Sequence, residues 1–179
     1  MDNSDLDDNL ILKIADGDRD AFRTVYLVTK NVVYGFALSI LRCPEDAEDV
    51  MHDAYLKIYD GAKSYVPKGK PLSWIMTIVR NLAYNKVRAV RETEDLGDHV
   101  NDLRTDDMDA ENDRMELIEA MGVLEKQDRE IVVLHAVGGM KHREIADILN
   151  MPVSTVLSRY NRALEKMRKE ISKEGGACE

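Results

Sequence analysis

The sequence predicts an all-α protein with two small helical domains. Apolar residues recur at spacings of three and four over most of the chain, which is typical of amphipathic helices. Only four prolines and ten glycines occur among 179 residues, so a turn-rich β-sandwich is not expected. Residues 92–113 are acidic and lack a sustained apolar period. We therefore expect domains at residues 8–91 and 114–173, joined by this acidic linker.

Four helices are predicted in the first domain. The first covers residues 6–16, and the second carries an apolar stripe over residues 22–41. Pro44 and Pro71 are each expected to begin a helix, because proline lacks the N–H that a first helical residue leaves unpaired. Residues 62–70 form the loop between these two helices.

The second domain also follows a helical period. Amphipathic segments are predicted at residues 115–124, around residues 131–134 and at residues 141–149. Residues 150–152, Asn-Met-Pro, predict a turn, and a long apolar stripe then runs over residues 153–171. The last two segments and their turn are the most informative part of this domain.

Charge is distributed unevenly along the chain. The formal net charge is −9. Residues 57–91 nevertheless hold eight basic residues and one acid, whereas residues 92–113 hold ten acids and one arginine. The basic block is suited to a polyanion that the rest of the chain would repel.

Composition also constrains the compartment. Cys43 and Cys178 lie far apart without a CxxC motif, which argues against a disulfide framework or a cysteine-rich zinc site. The N-terminus is acidic, unlike a signal peptide, and we expect no apolar run to approach the roughly 20 residues of a membrane helix. We expect a cytoplasmic protein that does not insert into a membrane.

Enzyme motifs are absent from the sequence. Gly69-Lys70 is followed by Pro71 rather than by the Ser or Thr of a phosphate-binding loop. His135 and His142 are seven residues apart across a Gly-Gly break, so a structural role is favoured over metal binding. We predict no catalytic residue, metal or cofactor.

Residues 141–160 have the pattern of a helix-turn-helix. Ala146 is small enough for close helix packing, and Val153 and Val156 are predicted to face inward. The second helix then has polar and cationic side chains available for DNA: Ser154, Thr155, Ser158, Arg159 and Arg162. The alternative is an ordinary helical hairpin with a solvated face.

A second polar stripe lies on the helix that begins at Pro71. Its members recur every three or four residues: Thr77, Arg80, Asn81, Tyr84, Asn85, Arg88 and Arg91. Arginines bind phosphates, amides read base edges and aromatic rings stack on unpaired bases. The preceding loop adds Lys63, Tyr65, Lys68 and Lys70. The alternative is a solvated basic face, with the only tryptophan, Trp74, in the core.

Three motifs in this order resemble the extracytoplasmic-function (ECF) sigma factors, the two-domain specificity subunits of bacterial RNA polymerase. Residues 46–59, DAEDVMHDAYLKIY, are similar to the family's polymerase-docking helix. Residues 71–88, PLSWIMTIVRNLAYNKVR, are similar to its promoter-opening helix. Residues 124–133, 144–146 and 152–156 are similar to its fourth conserved region.

The resemblance implies partners and sites. The first domain would bind the polymerase clamp through Glu48, Asp49, His52, Asp53, Tyr55 and Leu56. It would engage the single-stranded minus-ten element through Lys63, Lys68, Lys70, Trp74, Arg80, Asn81, Tyr84, Asn85 and Arg88. The second domain would contact the polymerase flap and read the minus-thirty-five duplex through the helix-turn-helix residues named above.

The family also implies regulation and some departures. An anti-sigma protein is expected as a further partner, and the acidic linker is expected in the RNA path of the polymerase. His52, Tyr55, Asn85 and Leu157 differ from the residues most common in the family, and the last two are expected to alter promoter preference.

Two other functions remain open at this stage. A stand-alone helix-turn-helix regulator would bind operators without a polymerase-docking surface. A sigma-like decoy would bind an anti-sigma protein and never DNA. An enzyme has no sequence support.

Overall fold

The computed structural model describes residues 6–93 and 121–174, and all regular structure in these ranges is helical. The helices are α1 (Asp8–Ala15), α2 (Arg19–Leu41), α3 (Pro44–Gly61), α4 (Pro71–Thr93), α5 (Lys126–Val132), α6 (His142–Leu149) and α7 (Val153–Glu174). A 3-10 turn (Ala62–Ser64) follows α3, and a π-helical turn (Val133–Val137) extends α5. The all-α prediction is confirmed. Most of the predicted linker and of the predicted segment 115–124 lies outside the described residues.

Local sequence signals begin the first four helices. The Asp7 carboxylate accepts a hydrogen bond from the Leu10 N–H at the start of α1. Asp18 accepts from two backbone N–H groups at the start of α2, which satisfies donors that have no partner inside the helix. Pro44 and Pro71 open α3 and α4 as the sequence predicts.

The N-terminal bundle comprises α1 to α4 (residues 6–93), with α2 at its centre. Side chains from three helices are fully buried together, including Phe36 of α2, Ile58 of α3 and Ile75 of α4. Burying each such side chain contributes about 1.5–3 kcal/mol of transfer free energy. This core fixes α3 and α4, the two helices that resemble the sigma-factor motifs.

The central helix, α2, contradicts the expectation that no apolar run approaches the length of a membrane helix. By length and composition Arg19–Leu41 is apolar enough to cross a membrane, with a mean hydropathy of 1.4 over its most apolar window. The helix instead packs against α1, α3 and α4. Its apolar character reflects burial from several sides, which also raises the hydropathy of core helices in water-soluble folds.

The C-terminal domain comprises α5 to α7 and the π-helical turn (residues 121–174). Leu134, Ile145 and Val156 are fully buried at its centre. Asn150 ends α6 in the left-handed region at φ 54°, which allows the sharp turn before α7. Val153 was predicted to face inward but is 37% exposed, because it lies at the first residue of α7 before the helix reaches the core.

The bundle and the C-terminal domain share one hydrophobic cluster. A Cβ atom at Gly35 of α2 would lie 3.4 Å from the Val133 side chain. A Cβ atom at Gly138 would lie 3.0 Å from the Val32 side chain and 2.6 Å from the Leu134 carbonyl oxygen. Glycine at both positions therefore allows the C-terminal domain to lie close against α2.

Candidate nucleic-acid interface

The polar stripe of α4 lies opposite its buried face. Ile75, Met76 and Val79 are fully buried against the bundle. On the other side, four predicted stripe residues are exposed: Thr77, Asn81, Asn85 and Arg88. The structure thus places two amides and a guanidinium on one accessible surface, where they can contact bases and phosphates. The side chain of Arg91 lies outside the described residues.

Arg80 and Tyr84 of the same stripe are not freely accessible. The Tyr84 hydroxyl donates a hydrogen bond to the Glu130 carboxylate of α5 at 2.8 Å. The Arg80 guanidinium lies 4.9 Å from the centre of the Tyr84 ring. Burial, together with Glu130, raises the pKa of Tyr84 well above its usual range. These two members of the predicted minus-ten site are therefore partly covered by the C-terminal domain.

The lysine loop before α4 (residues 62–70) is held in place by hydrogen bonds to α1. The Asp8 carboxylate accepts hydrogen bonds from the Tyr65 hydroxyl at 2.5 Å and from the Gly69 N–H at 2.7 Å. Gly69 has a φ of +67°, a conformation that favours glycine. This anchoring leaves three lysines of the predicted site exposed at the surface: Lys63, Lys68 and Lys70.

Trp74 is partly buried beneath that loop. Its ring lies 4.9 Å from the Tyr65 ring and approaches Gly61, where a Cβ atom would be 3.4 Å away. Trp74 therefore packs the loop onto the bundle, which supports the core alternative that the sequence left open. Asp8 is the residue that sequence reasoning missed, because nothing local links it to a loop 57 residues away.

The helix-turn-helix has the predicted geometry. Ile145, Ala146 and Val156 are buried where α6 meets α7. The Lys141 N–H donates to the Glu144 carboxylate at 2.9 Å, which fixes the start of α6. Ser154, Ser158 and Arg162 are exposed on α7, and Thr155 is half-buried. Short polar groups near the N-terminus of α7 can therefore approach the major groove.

Arg159 differs from its neighbours on α7. Its guanidinium donates to the Asp128 carboxylate at 2.7 Å and lies 3.5 Å from the Glu125 carboxylate. The Asp128 side chain is only 4% exposed, and its hydrogen bond raises the pKa of Arg159. Arg159 thus joins α7 to α5 inside the domain, a role that its sequence position did not indicate.

Two histidines lie against the helix-turn-helix. The rings of His135 and His142 are 4.3 Å apart, and both contact the Tyr160 ring. Burial, and to a lesser degree His135, lowers the pKa of His142. Among residues 6–93 and 121–174 no group of three potential metal ligands occurs. The two histidine rings pack against Tyr160 inside the domain.

The predicted polymerase-docking residues lie on α3. Glu48, Asp49, His52 and Asp53 are exposed, and Leu56 is 65% exposed. Asp49 also pairs with Lys86 of α4 at 2.9 Å. Tyr55 differs, because it is 5% exposed and its hydroxyl lies 2.8 Å from that of Thr29. Tyr55 supports α3 from inside the core.

Family comparisons fit this arrangement. Residues 26–93 match Sigma-70 region 2, and residues 114–167 match Sigma-70, region 4. Two solved structures show the same fold. One is CnrH in complex with the cytosolic domain of CnrY (22% identity, TM-score 0.68, 93% of this chain and 97% of that one). The other is the sigma factor RpoE in complex with the anti-sigma factor NepR from Bartonella quintana (24% identity, TM-score 0.75, 87% of this chain and 98% of that one). The chain is thus a sigma-70-type protein.

Two sequence relatives show to which branch of the sigma-70 family the chain belongs. The ECF RNA polymerase sigma factor SigK of Mycobacterium ulcerans (strain Agy99) is 30% identical over 168 residues, 89% of this chain and 90% of the relative. SigK of Mycobacterium bovis (strain BCG / Pasteur 1173P2) is 29% identical over 175 residues, 93% of each. The chain belongs to the ECF RNA polymerase sigma factors. It directs promoter recognition by RNA polymerase and is not itself an enzyme.

Proposed function

We propose that the exposed half of the α4 stripe and the lysine loop bind the minus-ten element as single-stranded DNA. The observation that carries this proposal is the shared exposure of Asn81, Asn85 and Arg88 beside the loop lysines. Arginine and lysine bind the backbone phosphates, and the amides hydrogen-bond to base edges that become accessible once a base leaves its stack. Arg80 and Tyr84 join this surface when the C-terminal domain moves away.

The minus-thirty-five element is the proposed ligand of α7. Ser154, Ser158 and Arg162 form the exposed surface that would lie in the major groove. Thr155 lies at its edge. Arg159 contributes by holding α7 on α5, and its pairing with a buried carboxylate argues against a free base contact.

Core RNA polymerase is the proposed partner of the exposed α3 surface. Glu48, His52 and Asp53 supply polar contacts, and the exposed Leu56 supplies an apolar one. An exposed leucine beside acidic residues suits the core of a small interface with a polar rim. The flap contact predicted for the second domain is part of the same proposal.

Membership in the family supports a proposed regulator and a proposed location. CnrH and RpoE are each bound by another protein in the structures named above, and we include an anti-sigma protein among the proposed partners of this chain. A chain that works with RNA polymerase on chromosomal DNA is expected in the cytoplasm. Adding a purified candidate inhibitor to a transcription reaction tests the first point, and cell fractionation tests the second.

The docking proposal is tested by mixing the purified chain with bacterial core RNA polymerase and applying size-exclusion chromatography. The same sample is then used to transcribe fragmented genomic DNA, and the RNA start sites are mapped. We expect co-elution and new start sites with a shared upstream sequence. Co-elution without initiation would instead favour the decoy, and no co-elution of a folded chain would contradict the docking surface.

Matched variants assign the surfaces. Leu56→Ala should weaken co-elution, whereas Leu27→Ala, another exposed leucine at 44%, should not. Arg88→Ala should reduce initiation, whereas Lys30→Ala removes the same charge from α2 and should leave initiation unchanged. Equal effects within either pair would contradict the corresponding assignment.

A further inference from the structure

A cavity of about 340 Å³ lies between α2 and the C-terminal domain. Tyr34, Leu38 and Val133 are among the residues that line it, so its walls are mainly apolar. Small-molecule sites in proteins occupy about 300–1,000 Å³ and combine apolar walls with a few polar groups that fix the orientation of the ligand. The volume and the lining therefore suit a small organic molecule.

The cavity is accessible from the protein surface. Asn31, Arg42 and Val137 line it and are all exposed. Val137, in the π-helical turn, is 48% exposed, so an apolar side chain stands at the opening. A ligand with an apolar part can therefore enter without prior unfolding of either domain.

Two arginines also line the cavity, near the C-terminus of α2. Arg42 directly follows this helix, and the Arg129 Nε of α5 donates to the Ser39 carbonyl oxygen at 3.3 Å. Arg129 is only 8% exposed, whereas Arg42 is exposed. Burial, together with the like charge of Arg42, lowers the pKa of Arg129. Two positive charges thus face each other at the same end of the cavity.

The charges of this arginine pair are not balanced by nearby acids. Among the described residues, neither Arg42 nor Arg129 forms an ion pair with a carboxylate. Glu130 attracts Arg129, but its carboxylate accepts the hydrogen bond from Tyr84 of α4. The C-terminus of α2 contributes only about half a negative charge. Because an unpaired buried charge is costly, an anion at this end of the cavity would relieve the repulsion.

We propose that this cavity binds a small amphiphile that has an apolar chain and one carboxylate. The chain packs against Tyr34, Leu38 and Val133, and the carboxylate meets the arginine pair, because guanidinium donors match the two carboxylate oxygens. Arg129 already donates to the Ser39 and Leu124 carbonyl oxygens, so few of its donors remain and a carboxylate suits them better than a phosphate dianion. The site is separate from the proposed DNA and polymerase contacts.

Isothermal titration calorimetry of the full chain with sodium octanoate tests the site. We expect saturable binding of one octanoate per chain, with a Kd of about 100 μM or lower. Octanamide has the same chain and size without the charge, and it should bind at least about tenfold more weakly. Octyl phosphate should also bind more weakly than octanoate. No saturable binding of octanoate, or equal or tighter binding of either analogue, would overturn the proposal.

Matched variants locate the bound octanoate. Arg42→Gln removes the exposed member of the arginine pair and should raise the Kd about tenfold, whereas Arg23→Gln removes the same charge from an exposed position on α2 and should change it less than about twofold. Leu38→Trp places a larger side chain in the cavity and should abolish binding, whereas Leu27→Trp, on the exposed surface of α2, should not. Circular dichroism checks that each variant folds. Equal effects within the arginine pair of variants, which needs no change to the cavity walls, would contradict the site.

Thermal unfolding gives an independent measurement of the same site. A ligand that binds only the folded chain stabilises it by mass action, so octanoate at tenfold its Kd should raise the melting temperature by about 2–5 °C. Arg42→Gln at the same octanoate concentration should show a clearly smaller rise, and Arg23→Gln should match the wild-type chain. An unchanged melting temperature at saturating octanoate, or the same rise in the Arg42→Gln chain, would contradict the proposal.

Discussion

Two buried acids on α5 point to different parts of the molecule. Asp128 accepts from Arg159 of α7 at 2.7 Å, within the C-terminal domain. Glu130, two residues further along the chain, accepts from Tyr84 of α4 at 2.8 Å, across the interface between domains. Residues two positions apart on a helix face different directions. One short helix therefore contacts both α7 and α4.

The partners of the two acids explain their different roles. Asp128 meets a guanidinium, and the Lys166 ammonium lies 4.0 Å away. This pairing offsets the cost of burying the Asp128 carboxylate, which would be high if the charge had no partner. Glu130 meets a neutral phenol that can exchange the contact for water or DNA. The first contact is expected to stabilise the C-terminal domain and the second to contribute to the contact between the two domains.

The largest expected effect comes from breaking the inner contact. Asp128→Ala removes a charge-assisted hydrogen bond and should lower the unfolding free energy of the C-terminal domain by about 2–3 kcal/mol. Trp74, the only tryptophan, reports on the bundle, whereas circular dichroism reports on both domains. In urea, the ellipticity transition should shift and the fluorescence transition should stay. A shift of both transitions by the same amount would contradict the separation of roles.

The second effect concerns two arginines of α7. Arg162→Ala removes an exposed guanidinium and should lower holoenzyme affinity for the minus-thirty-five duplex about tenfold without changing stability. Arg159→Ala should lower the stability of the C-terminal domain as well. Filter binding and urea unfolding of both variants distinguish them. Identical profiles would show that Arg159 is an ordinary DNA contact.

A smaller effect is expected from Tyr55 in the bundle. Tyr55→Phe removes the hydroxyl that meets Thr29 at 2.8 Å. Thr29 still donates to the Val25 carbonyl oxygen at 2.7 Å, so we expect a stability loss of about 1 kcal/mol. Core polymerase affinity should not change, because the side chain is buried. A selective loss of co-elution with normal urea unfolding would place Tyr55 at the docking surface after all.

The smallest expected effect is the pH dependence of the contact between the two domains. Burial raises the pKa of Glu130, although Tyr84, Lys126, Arg80 and Arg129 around it act in the opposite direction. The raised pKa belongs to the form in which the two domains are in contact. Glu130 therefore favours that contact fully below its ordinary pKa of 4.5, and the contribution is lost as pH rises through the raised value.

Fluorescence energy transfer between dyes on the two domains measures this dependence. Wild-type chain should become more closed as pH falls toward 5, and Glu130→Gln should show a flatter profile. An identical slope in both chains would assign the pH dependence to another group.

Much of the fold follows from local sequence. Pro44 and Pro71 open helices where expected, and the turn at Asn150 separates α6 from α7. Each of these signals acts within a few residues of its effect, so a single sequence carries it. The apolar stripe of α2 was also visible in the sequence.

The pairings between distant residues were not predictable. Arg159 and Asp128 are 31 residues apart, Tyr84 and Glu130 are 46 apart, and Tyr65 and Asp8 are 57 apart. Helical periodicity shows which side of a helix is polar but does not show which polar partner it meets. The same limit explains why Arg159 and Tyr84 were placed with their exposed neighbours.

The most direct test of the central claim is the distance between the domains in solution. Spin labels at Lys57 of α3 and Lys169 of α7, both exposed, in a chain with Cys43→Ser and Cys178→Ser, report it by pulsed electron resonance. We predict one narrow distance for the free chain, and a longer one when core polymerase and single-stranded DNA are added. A broad distribution in the free chain, or the same narrow distance in the complex, would contradict the account.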